Sequence, residues 1–379
     1  MRFSTTSKEL GEILVNMYRV INNKCTMPIL YDIIFELKED NLSLKASDNE
    51  VMLVTNITVT DVEGDGIFAV NAKNIMDAVK NLPELPLNFT FNEKESKVMV
   101  DYFTGVFCLP TDNATEFPSL SPINEEEAKS IIINESLLQE NIARTIFAVA
   151  DDELRPVMNG IYFDLTQECL AVVASDGHQL VRNKILSIMA IDEVNEGSFI
   201  LPKKPATVLK SILKRDGTEN VTITFDNSKL CIVAKNFTMT CRLIEGRYPN
   251  YNSVIPKENP NIVTIDRSAL IAALRRVSPF ANDTSQLVRI HLEDGKLELK
   301  TEDIDFATSA QEEIACEYYG ITMNIGLKGT KTMEILNNIS SKEIEIQLSD
   351  PSRAALMMPS EQPTDMDILM LQMPMLLND

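Results

Sequence analysis

The sequence is poor in the residues that build metal centres and most active sites. Its 379 residues include only two histidines and six cysteines, and no two cysteines form a C-x-x-C pair. The motifs H-E-x-x-H, G-x-S-x-G and G-x-x-x-x-G-K do not occur, which argues against a zinc hydrolase, an α/β-hydrolase and a nucleotide-binding loop. We therefore expect no metal and no cofactor, and reduced thiols in a cytoplasm.

Long apolar runs are also missing. No stretch approaches the roughly 20 apolar residues that a membrane-spanning helix needs. The first residues lack the basic segment and apolar run of a secretory signal. We expect a protein that is neither embedded in a membrane nor exported, and 44% hydrophobic residues are enough for two or three cores.

Basic charge is scarce, since 35 Lys and Arg face 56 Asp and Glu for a net charge of −21. That balance alone disfavours a nucleic-acid partner, because phosphates are bound by Lys and Arg. However, six predicted helix windows hold 16 basic and only 6 acidic residues, a surplus of ten that leaves −31 on the rest of the chain. These windows are 7–24, 72–81, 134–150, 203–215, 267–280 and 328–339. Basic side chains that merely solvate helix faces are the alternative; otherwise the protein has one positive and one negative face.

The chain repeats itself about every 127 residues. Similar segments surround Ser47, Ser175 and Thr301, each with an alternating strand, a polar turn, a second strand and a small hydroxyl residue followed by an acid. Strand-then-helix segments recur twice in each copy, so each copy has two similar halves. This pattern predicts an α+β fold with six helices in three repeated domains, which we place at 1–122, 129–256 and 260–379.

Several landmarks on this repeat point to a known family. They are the segments LRPVMNGIYFDL, ASDGHQLVR, IEGRYPNY followed by VIPK, and the ending MLQMPMLL. In this order, on a threefold repeat, they closely resemble the bacterial DNA polymerase III beta subunit, the replicative sliding clamp. The resemblance implies three clamp domains per subunit in a head-to-tail homodimer. This dimer would form a six-domain ring with helices inside and sheets outside.

The resemblance also implies a function. It implies a non-catalytic processivity factor that encircles double-stranded DNA without reading its sequence. Such a clamp tethers the replicative polymerase, the clamp loader and repair factors through short hydrophobic peptide motifs that bind one pocket.

Seven basic residues are predicted to lie near the DNA. Alignment with the family supports Lys24, Lys203 and Lys204 best. The other four rest on the basic helix faces and could instead be solvated surface: Lys73, Arg144, Arg275 and Arg276.

The apolar, Met-rich tail is predicted to close the peptide pocket against the second repeat. Burial as part of the last strand is the alternative, and it is favoured for Ile368 and Leu369. The positions that match the family's pocket are Met158, Ser175, Gly177, His178, Leu180, Pro249, Val254, Met373, Pro374, Met375 and Leu377. Leu376, Gln179 and Ser253 stand where the family often has basic residues, so we expect a more apolar pocket.

The strand VFCL is predicted to form the dimer interface, because an apolar edge strand invites pairing with another chain. Phe107 and Leu109 are the candidates on this side, with Pro279 and Phe280 opposite. Ordinary core packing is the alternative for all four residues.

Two other classes of function remain open at this stage. An enzyme could use His178 beside Asp176 as a general base, although the repeat does not preserve a histidine there. A monomeric acidic adaptor could carry the same fold without forming a ring, and a native mass measurement would separate it from the clamp.

Overall fold

Six α-helices form in the computed structural model, which describes residues 1–22 and 25–377. The first begins after Thr6, whose side chain accepts a hydrogen bond from the Glu9 backbone N–H at 3.3 Å and so caps the helix. Leu10, Leu14 and Met17 are buried at spacings of four and three, as an amphipathic helix requires. The helices are α1 (Ser7–Val20), α2 (Ala72–Val79), α3 (Glu135–Thr145), α4 (Lys203–Ile212), α5 (Arg267–Val277) and α6 (Gly329–Asn337).

The chain divides into two units, residues 1–140 with 204–243 and residues 141–203 with 244–379. The first unit contains thirteen of the strands in the described residues. They are β1 (Arg2–Thr6), β2 (Asp32–Lys38), β3 (Asn41–Ser47), β4 (Val51–Thr58), β5 (Thr60–Glu63), β6 (Gly66–Asn71), β7 (Pro86–Asn92), β8 (Lys97–Tyr102), β9 (Gly105–Pro110), β10 (Lys129–Asn134), β15 (Asn220–Phe225), β16 (Lys229–Val233) and β17 (Phe237–Arg242).

The second unit contains the other strands of the described residues. They are β11 (Gly160–Leu165), β12 (Leu170–Ser175), β13 (Gln179–Ile185), β14 (Gly197–Pro202), β18 (Asn261–Asp266), β19 (Leu287–Glu293), β20 (Lys296–Asp303), β21 (Thr308–Ala315), β22 (Glu317–Tyr318), β23 (Met323–Lys328), β24 (Glu343–Leu348), β25 (Ala355–Pro359) and β26 (Met366–Gln372).

Each unit holds two antiparallel sheets. In the first unit the strand orders are β10-β15-β16-β17-β4-β3-β2-β6 and β5-β1-β7-β8-β9. In the second unit they are β14-β11-β12-β13-β26-β25-β24-β18-β22 and β21-β20-β19-β23. The larger sheet of each unit therefore continues from one repeat into the next.

Two strand pairs make these junctions between repeats. β17 pairs with β4 and places Met239 opposite Leu53. β26 pairs with β13 and places Met370 opposite Val181. All four of these side chains are buried, so each junction extends the hydrophobic core as well as the hydrogen-bond ladder.

Aromatic stacking fills the core of the first unit. The rings of Phe3 and Phe89 stack with their centres 4.7 Å apart, and those of Phe35 and Phe68 at 5.1 Å. Phe3 and Phe89 lie between polar neighbours in the sequence, whereas Phe35 and Phe68 each follow another apolar residue, so sequence alternation indicates only the first pair.

The register of the third copy differs by one residue from the sequence prediction. Asp48, Asp176 and Asp303 each accept hydrogen bonds from the backbone N–H groups two and three residues further on. These three acids are therefore equivalent. Ser47 lies one position before Asp48, whereas Thr301, which the sequence aligned with Ser47, lies two positions before Asp303. Thr301 is buried, and its hydroxyl donates to the Val277 carbonyl.

Candidate functional site

A cavity of about 310 Å³ opens in the second unit where the β12–β13 turn meets the end of β26. Its walls combine aliphatic, aromatic and small side chains with only a few polar groups, which is typical of a ligand pocket. The lining residues are Arg155, Met158, Ser175, Gly177, His178, Gln179, Leu180, Tyr248, Pro249, Asn250, Tyr251, Val254, Leu371 and Met373.

The β12–β13 turn forms one wall. The Asp176 carboxylate accepts from the backbone N–H groups of His178 and Gln179, both at 2.8 Å. Gly177 has φ +88, a left-handed conformation that glycine adopts without strain. A Cβ at Gly177 would lie 3.0 Å from Nη1 of Arg155, so the missing side chain also leaves room for this arginine at the rim.

The tail reaches the cavity because β26 pairs with β13. This pairing sets Leu371 opposite Leu180, and the Met373 N–H then donates to the His178 carbonyl at 2.8 Å. Both leucines are buried and line the cavity. Residues that are 185 or more positions apart in sequence thus form one apolar wall.

Tyrosines form the floor. The rings of Tyr162 and Tyr248 stack with centres 4.7 Å apart and planes inclined by 2°. The Tyr251 hydroxyl donates to Asp164 at 3.1 Å. Burial raises the pKa of Asp164, although the hydroxyl groups of Tyr251 and Tyr162 oppose this shift. The stacked rings give the cavity a rigid base at low cost in side-chain entropy.

An ion pair with α6 also fixes the β12–β13 turn. The second oxygen of Asp176 accepts from Nζ of Lys331 on α6. Burial alone would raise the pKa of Asp176, but the bonds from Lys331, Gln179 and His178 hold this pKa below its usual value. The acid is therefore ionised, and both of its oxygens are engaged in shaping the pocket.

Eight of the eleven predicted pocket residues line the cavity: Met158, Ser175, Gly177, His178, Leu180, Pro249, Val254 and Met373. Pro374, Met375 and Leu377 are outside its lining among the described residues. The Met375 N–H instead donates to the Gly326 carbonyl on β23 at 2.8 Å. A Cβ at Gly326 would lie 2.8 Å from Leu377 Cδ2. The end of the tail thus packs on the four-stranded sheet, because Gly326 leaves space for it.

Sequence reasoning missed five of the lining residues: Arg155, Tyr248, Asn250, Tyr251 and Leu371. All five lie in the landmark segments LRPVMNGIYFDL, IEGRYPNY and MLQMPMLL. The segments were therefore recognised, but the sequence did not show which of their side chains point into the cavity. Of the positions flagged as departures from the family, Gln179 lines the cavity and Leu376 is 87% exposed.

A shallower groove of about 810 Å³ adjoins the cavity. The two share Asn250, Val254 and Met373, and Ser253 lines the groove. An extended ligand seated in the cavity therefore has a continuous path along the 3₁₀ turn at Tyr251–Val254.

The predicted DNA-contacting cations are in different environments. Lys73, Lys203, Arg275 and Arg276 are exposed. Arg276 donates to both oxygens of Glu312 on β21. Lys24 lies outside the described residues.

Two of these cations do not fit the expectation of a free surface charge. Lys204 donates to the Val20 carbonyl and to the Asp48 carboxylate, whose side chain is 6% exposed. Arg144 is only 5% exposed on α3, so it does not present its guanidinium to a phosphate backbone. A basic residue on a predicted helix can face the core side, which charge counting does not detect.

The predicted interface residues lie on β9 and just after α5. Phe107 and Leu109 are half-buried on β9, where the Phe107 ring packs on Tyr102 at 4.8 Å. Pro279 is exposed, and Phe280 is 41% exposed just after α5. These are apolar groups that the subunit alone leaves partly uncovered.

The polar chemistry around His178 does not resemble a proton relay. Its backbone, not its ring, bonds to Asp176, and Asp176 is taken up by two N–H groups and Lys331. Within the described residues no group of three or more His, Cys, Asp and Glu side chains could hold a metal ion. Across 1–22 and 25–377, no helix is both long and apolar enough to cross a membrane.

A threefold strand–helix–sheet repeat with an apolar pocket at the end of its last strand defines the class of DNA clamps. The DNA polymerase III beta subunit family matches this chain in three parts: its N-terminal domain over residues 1–121, its central domain over 132–250 and its C-terminal domain over 252–376. The chain belongs to this family.

Individual relatives agree. A beta sliding clamp of Pseudomonas aeruginosa is 29% identical over 359 residues, and one of Pseudomonas putida is 28% identical over 360 residues. Each alignment covers 94% of this chain and 95% of the relative. The crystal structure of a Pseudomonas aeruginosa sliding clamp bound to griselimycin has a TM-score of 0.91 at 27% identity and full coverage of both chains. The function is that of a DNA sliding clamp, a non-catalytic processivity subunit, and neither alternative finds support.

Proposed function

We propose that two copies of this chain join head to tail into a ring around duplex DNA in the cytoplasm, and that each copy tethers its partners through the cavity at Met373. The end strands β9 and β21 carry this proposal. They are the outer strands of the five- and four-stranded sheets. An outer strand with apolar side chains and an open ladder is a site for pairing with another chain.

The internal junctions show how such strands pair. The half-sheets β6-β2-β3-β4, β14-β11-β12-β13 and β23-β19-β20-β21 share one order, and so do β10-β15-β16-β17, β18-β24-β25-β26 and β1-β7-β8-β9. Within the chain β4 pairs with β17 and β13 with β26, both antiparallel. The strands left over by this rule are β21 and β9, which supports a head-to-tail junction between two copies.

Repeat equivalence also gives the register of the proposed junction. Met239 and Met370 correspond to Phe107, because all three lie opposite an equivalent residue of the preceding strand. Leu53 and Val181 correspond to Ala310 by the same reasoning. Phe107 of one copy is therefore proposed to face Ala310 of the other.

The same symmetry supports the domain bounds 1–122, 129–256 and 260–379, which we retain as a proposal. In such a ring the basic helices face the DNA. Exposed Lys203, Arg275 and Arg276 are the proposed phosphate contacts, together with Lys24. Contacts of this kind carry no base information, so the ring has no preferred register and can slide.

The cavity is proposed to bind short peptides of the replicative polymerase, the clamp loader and repair factors. Leu180, Leu371 and Val254 offer apolar contacts, and the rim carries few charges. Leu and Phe anchors are the side chains that such a pocket fits.

The native mass tests the ring. A dimer of about 85 kDa, twice the 42.5 kDa chain, is expected by sedimentation at low micromolar concentration. A monomer across that range would overturn the ring and favour the acidic adaptor.

A further inference from the structure

Each of the two junctions inside the chain contains an ion pair of the same kind. At the first junction, the turn acid Asp48 accepts from the N–H groups of Glu50 and Val51 at 3.0 and 2.8 Å. Its other oxygen accepts from Nζ of Lys204, in the first turn of α4. The Asp48 side chain is 6% exposed and that of Lys204 is 38% exposed.

The second junction repeats this arrangement. Asp176 accepts from two N–H groups of its turn with one oxygen and from Lys331 with the other. Lys331 lies in the first turn of α6, and the two side chains are 19% and 21% exposed. In both cases a largely buried carboxylate of one repeat is matched by the lysine that starts the second helix of the next repeat.

Among the described residues, the third repeat has the equivalent carboxylate but no lysine bound to it. One oxygen of Asp303 accepts from the N–H groups of Asp305 and Phe306 at 2.9 and 3.1 Å. Its other oxygen takes a long bond from the Asn282 amide at 3.3 Å. The residue is 5% exposed. A carboxylate this buried gains most from a cation, because water screens the pair less than at an open surface.

The first repeat has the lysine without the carboxylate. Lys73 is the second residue of α2, as Lys204 is of α4, and it is exposed. On the strands before these helices, Val70 pairs with Ile33 and Leu201 pairs with Ile161, which are equivalent residues of their repeats. Lys73 and Lys204 each lie three positions further on, so they are equivalent as well. Lys331 is one position later in its helix, a difference that a four-carbon side chain spans.

We propose that Lys73 of one copy binds Asp303 of the other and completes the set of three junction ion pairs. This inference rests on the proposed ring, and it gives Lys73 a role in closing the ring in place of a direct DNA contact. Because the pairs at Asp48 and Asp176 form within one chain, only this third pair depends on assembly.

Charge reversal tests the pair. Lys73→Glu sets a carboxylate against Asp303 at both junctions of the ring, and we expect the dimer dissociation constant to rise at least tenfold by sedimentation. If the parent dimer is too tight to titrate, the exchange rate of isotope-labelled subunits should rise by a similar factor. Lys80→Glu makes the same change at the exposed end of α2, and it should alter either quantity less than threefold.

A second variant removes the carboxylate charge but keeps the turn. Asp303→Asn retains the oxygen that caps the N–H groups of residues 305 and 306. In this background Lys73→Glu should change the dissociation constant less than threefold, because the charge it opposes is gone. Monomer melting temperatures should stay equal for all variants.

Each outcome has one meaning. Equal effects of Lys73→Glu and Lys80→Glu, or a full tenfold effect of Lys73→Glu in the Asp303→Asn background, would overturn the ion pair and leave the ring intact. A parent protein that never dimerises would overturn the ring itself.

Discussion

At the residue scale, two buried acids of this chain differ in the groups that set their pKa values. Asp176 is kept ionised by Lys331 and by two backbone N–H groups. Asp32, at the start of β2, is 2% exposed. Burial, a hydrogen bond with Asp112 and repulsion by that group raise the pKa of Asp32 to about 7. The two acids respond to pH in opposite directions.

Asp32→Asn is expected to stabilise the protein at alkaline pH. Between the unfolded pKa of 3.8 and the folded value of about 7, the folded state keeps a proton that the unfolded state releases. Asp32 therefore lowers the free energy of unfolding as pH rises through this window, and its effect is constant above it. At pH 8 the variant should be more stable by about 4 kcal/mol, since each unit between the two pKa values corresponds to about 1.4 kcal/mol, and at pH 4 the difference should be small.

Denaturant titrations at pH 4, 6 and 8 measure this difference. Asp216→Asn removes an exposed carboxylate of the same unit and is the control for net charge. A difference between Asp32→Asn and the parent that does not grow from pH 4 to pH 8 would contradict the assignment.

Lys203 and Lys204 are neighbours in sequence, but they should respond differently to charge reversal. Lys204→Glu faces the buried carboxylate of Asp48 and should lower the free energy of unfolding by about 2 kcal/mol. Lys203→Glu changes an exposed side chain and should leave stability within about 0.5 kcal/mol, while weakening retention on DNA. Equal losses of stability in the two variants would remove the distinction.

At the element scale, the last strand serves two surfaces. β26 carries Met373 to the cavity, whereas Met375 bonds to β23. A tail that looks uniformly apolar in sequence is thus divided after Met373 between pocket and core. Pairing of β26 with β13 brings Met373 to the cavity, whereas the separate bond from Met375 to Gly326 holds the following residues on β23.

Two truncations separate these roles. Removal of residues 373–379 should abolish binding of a Leu- and Phe-anchored peptide, which we expect to bind the parent with micromolar affinity, about −8 kcal/mol. Removal of residues 375–379 leaves the whole cavity lining in place, and it should weaken that binding less than threefold. Added salt should weaken the peptide only slightly, since Gln179 and Ser253 are uncharged.

Fluorescence anisotropy with a labelled peptide measures both truncations, and sedimentation checks that each variant is still a dimer. Peptide affinity that survives removal of residues 373–379, or dimers lost with it, would remove the tail from the pocket.

Charged substitutions at the proposed junction and beside it should affect the dimer differently. Phe107→Asp together with Phe280→Asp should yield monomers at low micromolar concentration, because both side chains lie at the proposed junction. Met99→Asp changes a residue of β8 that is 44% exposed and should leave the dimer in place. Native mass spectrometry distinguishes the species, and dimers of the double variant would count against β9 as the interface.

At the scale of the whole molecule, charge is separated between helices and strands. The net charge of −21 is unfavourable for DNA over most of the surface, and the proposed phosphate contacts of the described residues lie on α4 and α5, which carry basic residues and no acids. Binding to linear duplex should therefore be weak and strongly dependent on salt, and stable retention should depend on a closed ring.

Retention on a circular template tests this topology. After loading onto a nicked plasmid by a clamp loader, the protein should co-elute with DNA, and cutting the plasmid once should release it. Streptavidin bound at biotinylated ends should restore retention. Tight binding to short linear duplexes, with no effect of cutting, would contradict a topological clamp.

The sequence by itself determined the repeat, the six helices and the strand alternation, because these depend on local periodicity. It also pointed to the β12–β13 turn and Met373, which line the cavity, because the family resemblance covers the segments that contain them. Charge counting indicated basic helices without showing which basic side chains face inward.

Only the tertiary structure decided the rest, because those facts depend on partners that are distant in sequence. The one-residue register of the third copy is fixed by the Asp303 turn. Arg144 is buried and Lys204 is bound by Asp48 because elements from other parts of the chain pack against them. Met375 and Leu377 leave the pocket because Gly326, about fifty residues away, provides the space that they fill.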